Sequence, residues 1–433
     1  MTAVALPLDR PPSRALALAL LVATLLLAGG AWVADAPRLA LAAAAVAALI
    51  AGLLAPEVAL ALFVAAGALK AAPWAGSLPF DLTAAAALAV AAAMVAAGIR
   101  RGLADLPVDP VVVLAVLLCT LVVLSGFWTP AAAVGLNKAL RFQAFSLLAV
   151  IGPPVLIRRR AELVRLLAAL VGFALVLAVS AKPTDVTTQP LAALGGNEIQ
   201  LGVYSGFALL AILGYLLVVG PTPLRLLWLV PAAYLGYTLV AAGSRGALVS
   251  GILAIVYLAG RQLLFERSRL LALLLVGVVA AVVAFGSASV AGRAAAAKYE
   301  QSLFSSNTSR VVGSRDYLAA SGLQLAVSHP FGLGVGGFDV VTHGLQYPHN
   351  LLLELADEEG LAGVALFLAL LACAWRARLI GPLPHHAAEL GLTGALIVFA
   401  LSESMFSFDL NGDRLLWFSF GLAAALPRFH AER

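Results

Sequence analysis

Long uninterrupted runs of alanine, leucine and valine constrain this chain more than any single motif does. Apolar stretches of roughly 14 to 20 residues recur at 15–33, 39–54, 58–71, 83–99, 111–127, 142–157, 162–180, 199–219, 226–242, 247–260, 269–287, 361–376, 388–404 and 413–427. Their side chains do not alternate as those of a half-buried strand would. Only helices or closed barrels satisfy every backbone polar group inside a bilayer, so the runs select helices. Composition agrees: 62% hydrophobic and 11% charged residues with a mean hydropathy of +1.02 describe a chain whose solvent is mostly lipid. The expected fold class is an all-α polytopic membrane protein with 12 to 14 transmembrane helices and one large outer loop holding short amphipathic helices.

Arg10 and Arg14 precede an apolar run similar to a signal sequence, but no small-residue cleavage site is followed by a soluble domain, so 15–33 reads as the first span. With the N-terminus inside, sixteen of the 27 Lys and Arg residues fall on the cytoplasmic side, among them Arg100, Arg101, Arg158 to Arg160, Arg261, Arg267, Arg269, Arg376 and Arg378. Four of the other eleven lie in the one long loop, where the positive-inside bias is weak, so both termini are expected in the cytoplasm. The six tryptophans sit near proposed span ends, as rings at the headgroup level should. The chain then divides into N-terminal transmembrane helices (1–287), an outer loop (288–360) and C-terminal transmembrane helices (361–433). Inner-leaflet arginines account for most of the +5 net charge, so no nucleic-acid partner is implied. Cys119 and Cys373 each lie within an apolar run, which reads as two buried free thiols, with no disulfide framework or zinc site.

The outer loop holds the residues suited to chemistry. Arg315 to Ser328 reads as an amphipathic helix ended by His329 and Pro330, and Asn350 to Glu359 as a second helix. GLGVGG between them has no preceding strand and no following Gly-Lys-Ser/Thr, so Gly332, Gly334, Gly336 and Gly337 read as tight turns beside a ligand or another helix. His349 stands one short helix before the next span. It has two readings: a residue at a helix start bonding a neighbouring carbonyl, or a general base that takes a proton from an attacking hydroxyl. Arg245, in GSRGA at a tight turn between spans, Arg141 and Arg315 are either interfacial side chains that snorkel or a convergent set of cations for an anionic headgroup. Guanidinium groups suit a diphosphate because they stay charged and donate paired hydrogen bonds. No metal is expected: the outer histidines lack a carboxylate at ligand spacing, and Glu354 with Asp357 to Glu359 reads as the solvent face of a helix.

The pattern of His349, Asn350, Gly360 and Gly363 is similar to the histidine motif of the O-antigen ligase and polymerase superfamily. GSRGA resembles that family's intramembrane arginine turn, and Arg315 through HPFGLGVGGF to PHN resembles its large periplasmic loop, with further echoes in KALRF around Arg141 and GGNEIQLG around Asn197. The resemblance covers roughly residues 195 to 376. It implies a metal-independent, cofactor-free glycosyltransferase of the GT-C type in the bacterial inner membrane, taking a glycan from undecaprenyl diphosphate at the periplasmic face. By position, His349 would activate the acceptor hydroxyl, and Arg245 and Arg315 would hold the diphosphate, with Arg141 and Asn350 as further binding residues and Arg310 competing for the place given to Arg315. A ligase, acting on lipid A core in lipopolysaccharide biosynthesis, is favoured over a polymerase acting on another lipid-linked glycan, because a single long loop carries the motif residues. A lipid-linked sugar transporter or flippase is the alternative of another class, disfavoured because no acidic residue or lysine falls near the middle of a proposed span and no internal repeat is clear.

Overall fold

Prolines and short polar side chains mark where the helices begin. In the computed structural model, Asp109 caps the helix that Pro110 opens by accepting a hydrogen bond from Val111 N at 2.8 Å. Asn197 does the same for the helix from Glu198, accepting from Gln200 N at 3.0 Å. The structure describes residues 36–78, 80–101, 108–183, 191–194, 196–219, 225–263, 315–379 and 387–428, with isolated positions at 20, 22–24, 26–27, 277 and 293. Apart from those isolated positions, the expected spans 15–33 and 269–287 and the loop up to residue 314, Arg310 included, lie outside this set.

In chain order the described helices are α1 (Pro37–Leu54), α2 (Pro56–Leu69), α3 (Leu82–Arg101), α4 (Pro110–Ser125), α5 (Ala132–Leu156) and α6 (Arg160–Val179). A two-stranded antiparallel hairpin follows, β1 (Ala181–Pro183) and β2 (Leu191–Ala193), with Lys182 opposite Ala192. Then come α7 (Glu198–Val219), α8 (Leu226–Ala241), α9 (Arg245–Arg261), α10 (Arg315–Ser328), α11 (Gly337–Val341), α12 (Leu351–Glu358), α13 (Gly360–Leu379), α14 (Ala387–Ser404) and α15 (Arg414–Ala425). Among the described residues, α3, α5, α6, α7 and α14 are long and apolar enough to cross a membrane. Shorter apolar helices, including α2, α4 and α15, pack with them. The protein is a helical, multi-pass membrane protein.

The core runs through the bundle, with α9 against α14, α15 against α5, and α2 against α6. Aromatic rings fill its centre, Phe207 meeting Phe399 at 6.3 Å and Phe418 at 6.2 Å between centroids. Trp417 stands near the start of α15 but faces protein: it is 1% exposed, packs against Phe142 and Phe367, and donates its indole N–H to Leu410 O at 3.0 Å. A carbonyl partner inside the protein removes the need for water. Cys119 is buried as expected, whereas Cys373 is half-buried.

Two local expectations change. The span expected at 142–157 belongs to a helix that starts at Ala132, so Lys138 and Arg141 stand on α5 itself. A π-helical turn interrupts it at Phe142–Ser146, where Gln143 Nε2 reaches across to Cys119 O at 2.6 Å. The helix α10 is present but not amphipathic: it buries Leu318 and Gly322 and leaves Leu323 and Val327 exposed, because only a narrow strip meets α12. The ion pairs Lys70–Asp81, Arg165–Glu57 and Arg160–Glu389 each join groups that the charge count puts on one side of the membrane.

Candidate functional site

One end of the bundle gathers the ends of several helices around a cavity of about 860 Å³. Arg245, Arg315, His349 and Asn350 all line it, although more than a hundred residues separate the first from the last. Glu198 and Asp316 line it too, so an anion is favoured only on the side where the arginines stand.

Each of these side chains is placed by a helix start. Ser244 accepts from Ala247 N at 3.5 Å and caps α9, which puts Arg245 at its first position, exposed to the cavity. Gly246 beside it packs on Glu403: a Cβ there would lie 2.6 Å from Glu403 Oε2, so a side chain would displace that carboxyl group. Arg315 opens α10 and is also exposed. Asn350 caps α12, accepting from Leu353 N at 3.1 Å while its Nδ2 donates to Met405 O at 3.3 Å. Both ends of its amide are thereby used in holding the turn that carries His349.

His349 has a left-handed backbone, φ 56°, a conformation uncommon for residues with a side chain. Its ring lies 4.4 Å from that of Tyr347 and tilted against it. Burial, and then the nearby Arg315 charge, hold the imidazole below its usual 6.5, with Asp409 opposing. It is therefore neutral and able to accept a proton at pH 7. Burial pushes the neighbouring Tyr347 phenol up to about 12. Arg141 is exposed on α5 and is not among the residues lining this cavity.

The carboxylates of α12 overturn the expected solvent face. Glu354, Asp357, Glu358 and Glu359 are all 1% exposed or less. Lys138, from α5, explains two of them: its Nζ lies 2.6 Å from Glu354 Oε1 and 2.6 Å from Glu358 Oε2. Glu354 also accepts from Leu410 N at 2.9 Å, and Glu359 from Ser125 Oγ at 3.0 Å. Burial pushes Asp357 up to about 10 and Glu359 to about 7, so Asp357 is uncharged at neutral pH. The glycine run closes the same joint. Leu333 N and Gly334 N donate to the carbonyls of Asp357 and Glu358, each at 2.8 Å, and Val335 N donates to Ser125 Oγ at 3.0 Å. Gly334, at φ 85°, would bring a Cβ within 2.6 Å of Ser125 O, so the turn is built for contact with a helix.

Sequence reasoning missed Lys138 and Glu403. The four-residue spacing of Glu354 and Glu358 was a usable signal for a shared partner on one helix face. Nothing local marks Glu403, which meets the arginine turn only through tertiary packing.

A bundle of apolar helices that collects two arginines and a histidine in a cavity at one end defines a multi-pass membrane protein with a cationic patch in that cavity. Residues 230–368 match the family model Wzy_C, described as O-antigen ligase. The match is confined to that segment of the chain and is consistent with the O-antigen ligase and polymerase superfamily that the motifs resemble. No curated protein matches the chain.

Proposed function

We propose that this protein is an O-antigen ligase, which transfers a glycan from undecaprenyl diphosphate to lipid A core oligosaccharide at the periplasmic face of the inner membrane. The observation that carries the reading is the convergence of Arg245, Arg315 and His349 on one cavity. His349 takes the proton of the acceptor hydroxyl as its oxygen attacks the anomeric carbon. The bond from that carbon to the diphosphate breaks, its electron pair leaves with the diphosphate, and the configuration inverts. Arg245 and Arg315 stabilise the charge that develops on the leaving group, a role that calls for no metal or cofactor. Arg141 and Arg310 are further candidates for binding the carrier. In this reading the chain crosses the membrane twelve to fourteen times with both termini in the cytoplasm, and the cavity opens to the periplasm.

The test is transfer by purified protein supplied with an undecaprenyl diphosphate-linked glycan and lipid A core, with EDTA and no nucleotide. Product is expected with wild type, and His349→Ala should lower kcat by about 10²- to 10⁴-fold while carrier binding persists. Elongation of the carrier-linked glycan instead of transfer to lipid A core would make the protein a polymerase. Wild-type turnover by His349→Ala would remove the base.

A further inference from the structure

A second cavity lies behind the chain that links α14 to α15. It measures about 210 Å³, and its walls include Gln200, Tyr204, Glu403, Phe408, Asp413 and Arg414. The linking segment separates the two spaces: Met405 and Phe406 line the larger, Phe408 and Asp413 the smaller.

The polar groups of this chamber are more than packing requires. Glu403 is 1% exposed and Asp413 4%. The hydroxyls of Ser250 and Ser407 lie near Glu403, and that of Ser404 near Asp413. Even so, among the described residues neither Glu403 carboxylate oxygen, nor Asp413 Oδ2, nor Arg414 Nε completes a hydrogen bond. Native proteins rarely leave buried polar atoms so, because each lost water without replacing it. Arg414 is otherwise firmly held, with Nη1 donating to Phe63 O at 2.9 Å and its guanidinium 5.4 and 5.5 Å from the ring centres of Phe63 and Phe145. Phe408 lines the chamber from a left-handed backbone, φ 67°, which is strained for a phenylalanine.

Two carboxyl groups and a guanidinium share the walls of this chamber, so it offers hydrogen-bond donors and acceptors side by side. A neutral ring of hydroxyls can donate to Glu403 and Asp413 while accepting from Arg414 and Gln200. Its apolar faces suit Tyr204 and Phe408. At about 30 Å³ for each water, the chamber holds about seven waters, roughly the volume of one hexose ring.

We propose that this second cavity is a subsite for one neutral sugar residue of a glycan that reacts in the neighbouring cavity. The inference rests on reading that larger cavity as a site of glycosyl transfer. The sugar belongs either to the carrier-linked donor or to the acceptor.

The first test needs no turnover. Saturation-transfer NMR on the full-length protein in detergent, with D-glucose, D-galactose, D-mannose and L-rhamnose as probes, is expected to show transfer to at least one sugar. The signal should fall at least fivefold in Ala400→Leu, which fills the chamber from α14, where Ala400 is 2% exposed. Gln200→Ala, which removes a donor without adding bulk, decides the matter alone if Ala400→Leu fails to fold. The proposal is overturned if no sugar receives saturation, or if the folded variants keep the wild-type signal. Transfer kinetics then separate the sources: KM should rise about tenfold for the carrier-linked donor or for the acceptor, with kcat nearly unchanged. KM values unchanged for both would also overturn it. Sugar binding without any transfer would sink the ligase reading alone, and transfer indifferent to both variants would sink the subsite alone.

Discussion

The surroundings of His349 favour its neutral imidazole. Burial removes water from the imidazole and Arg315 adds a like charge, so both disfavour the protonated form. In the proposed reaction the base must be neutral, so activity is fully present above the lowered value and is lost as pH falls through it. The acid limb of kcat/KM against pH is thus expected below 6.5, the usual histidine value. Arg315→Gln takes away one downward influence, and the residual activity of that variant should show its acid limb at higher pH. A limb that stays at the same pH in Arg315→Gln would detach Arg315 from the base. Asn350 acts on the same residue through geometry, since its amide is committed to Leu353 N and Met405 O. Its effect on turnover would come through the placement of His349.

The short helix α12 joins the loop to the bundle, and its stability depends on one buried cation. Lys138→Met leaves Glu354 and Glu358 buried together without their partner, and breaking such a set costs about 3–5 kcal/mol. Thermal unfolding in detergent should show that loss. The triple variant Lys138→Met, Glu354→Gln, Glu358→Gln should recover much of it, because the two carboxylates that paired with Lys138 are then neutral. A stability unchanged in Lys138→Met would mean that the cluster does not hold the helix. This joint also marks the limit of what could be read from the chain alone. The apolar runs located helices well, because burial in lipid and burial in protein demand the same residue types. For that same reason they could not place Lys138, where a polar stretch before the apolar run continues the helix. Glu354 and Asp357 to Glu359 looked solvated because four acids in six residues ordinarily are. Their partner lies some 220 positions away in sequence and only the packing of α12 on α5 brings it close. Arg245, Arg315 and His349 could be singled out one by one, since charge and imidazole are conspicuous beside hydrocarbon. Their shared cavity could not.

Across the molecule, the cavity draws on helix ends that the charge count assigns to one side, and the ion pairs respect the same division. A periplasmic cavity makes a definite expectation for labelling in intact cells. With Cys119 and Cys373 replaced by alanine, Gln324→Cys on α10 should react with an impermeant maleimide, and Arg159→Cys, at the opposite end of the bundle, only after lysis. Both positions are exposed. The reverse pattern would invert the protein in the membrane and rule out a periplasmic acceptor.

The left-handed backbone at His349 has an outcome for variants made there. Glycine adopts that conformation freely, whereas a residue with a Cβ pays about 1 kcal/mol. His349→Gly should therefore be inactive yet melt at a temperature no lower than wild type. A clearly lower melting temperature would show that ring contacts such as the one with Tyr347 outweigh the strain. If the expectation holds, the chain retains at this position a residue its own fold would exchange, and the inactive protein is the sturdier of the two.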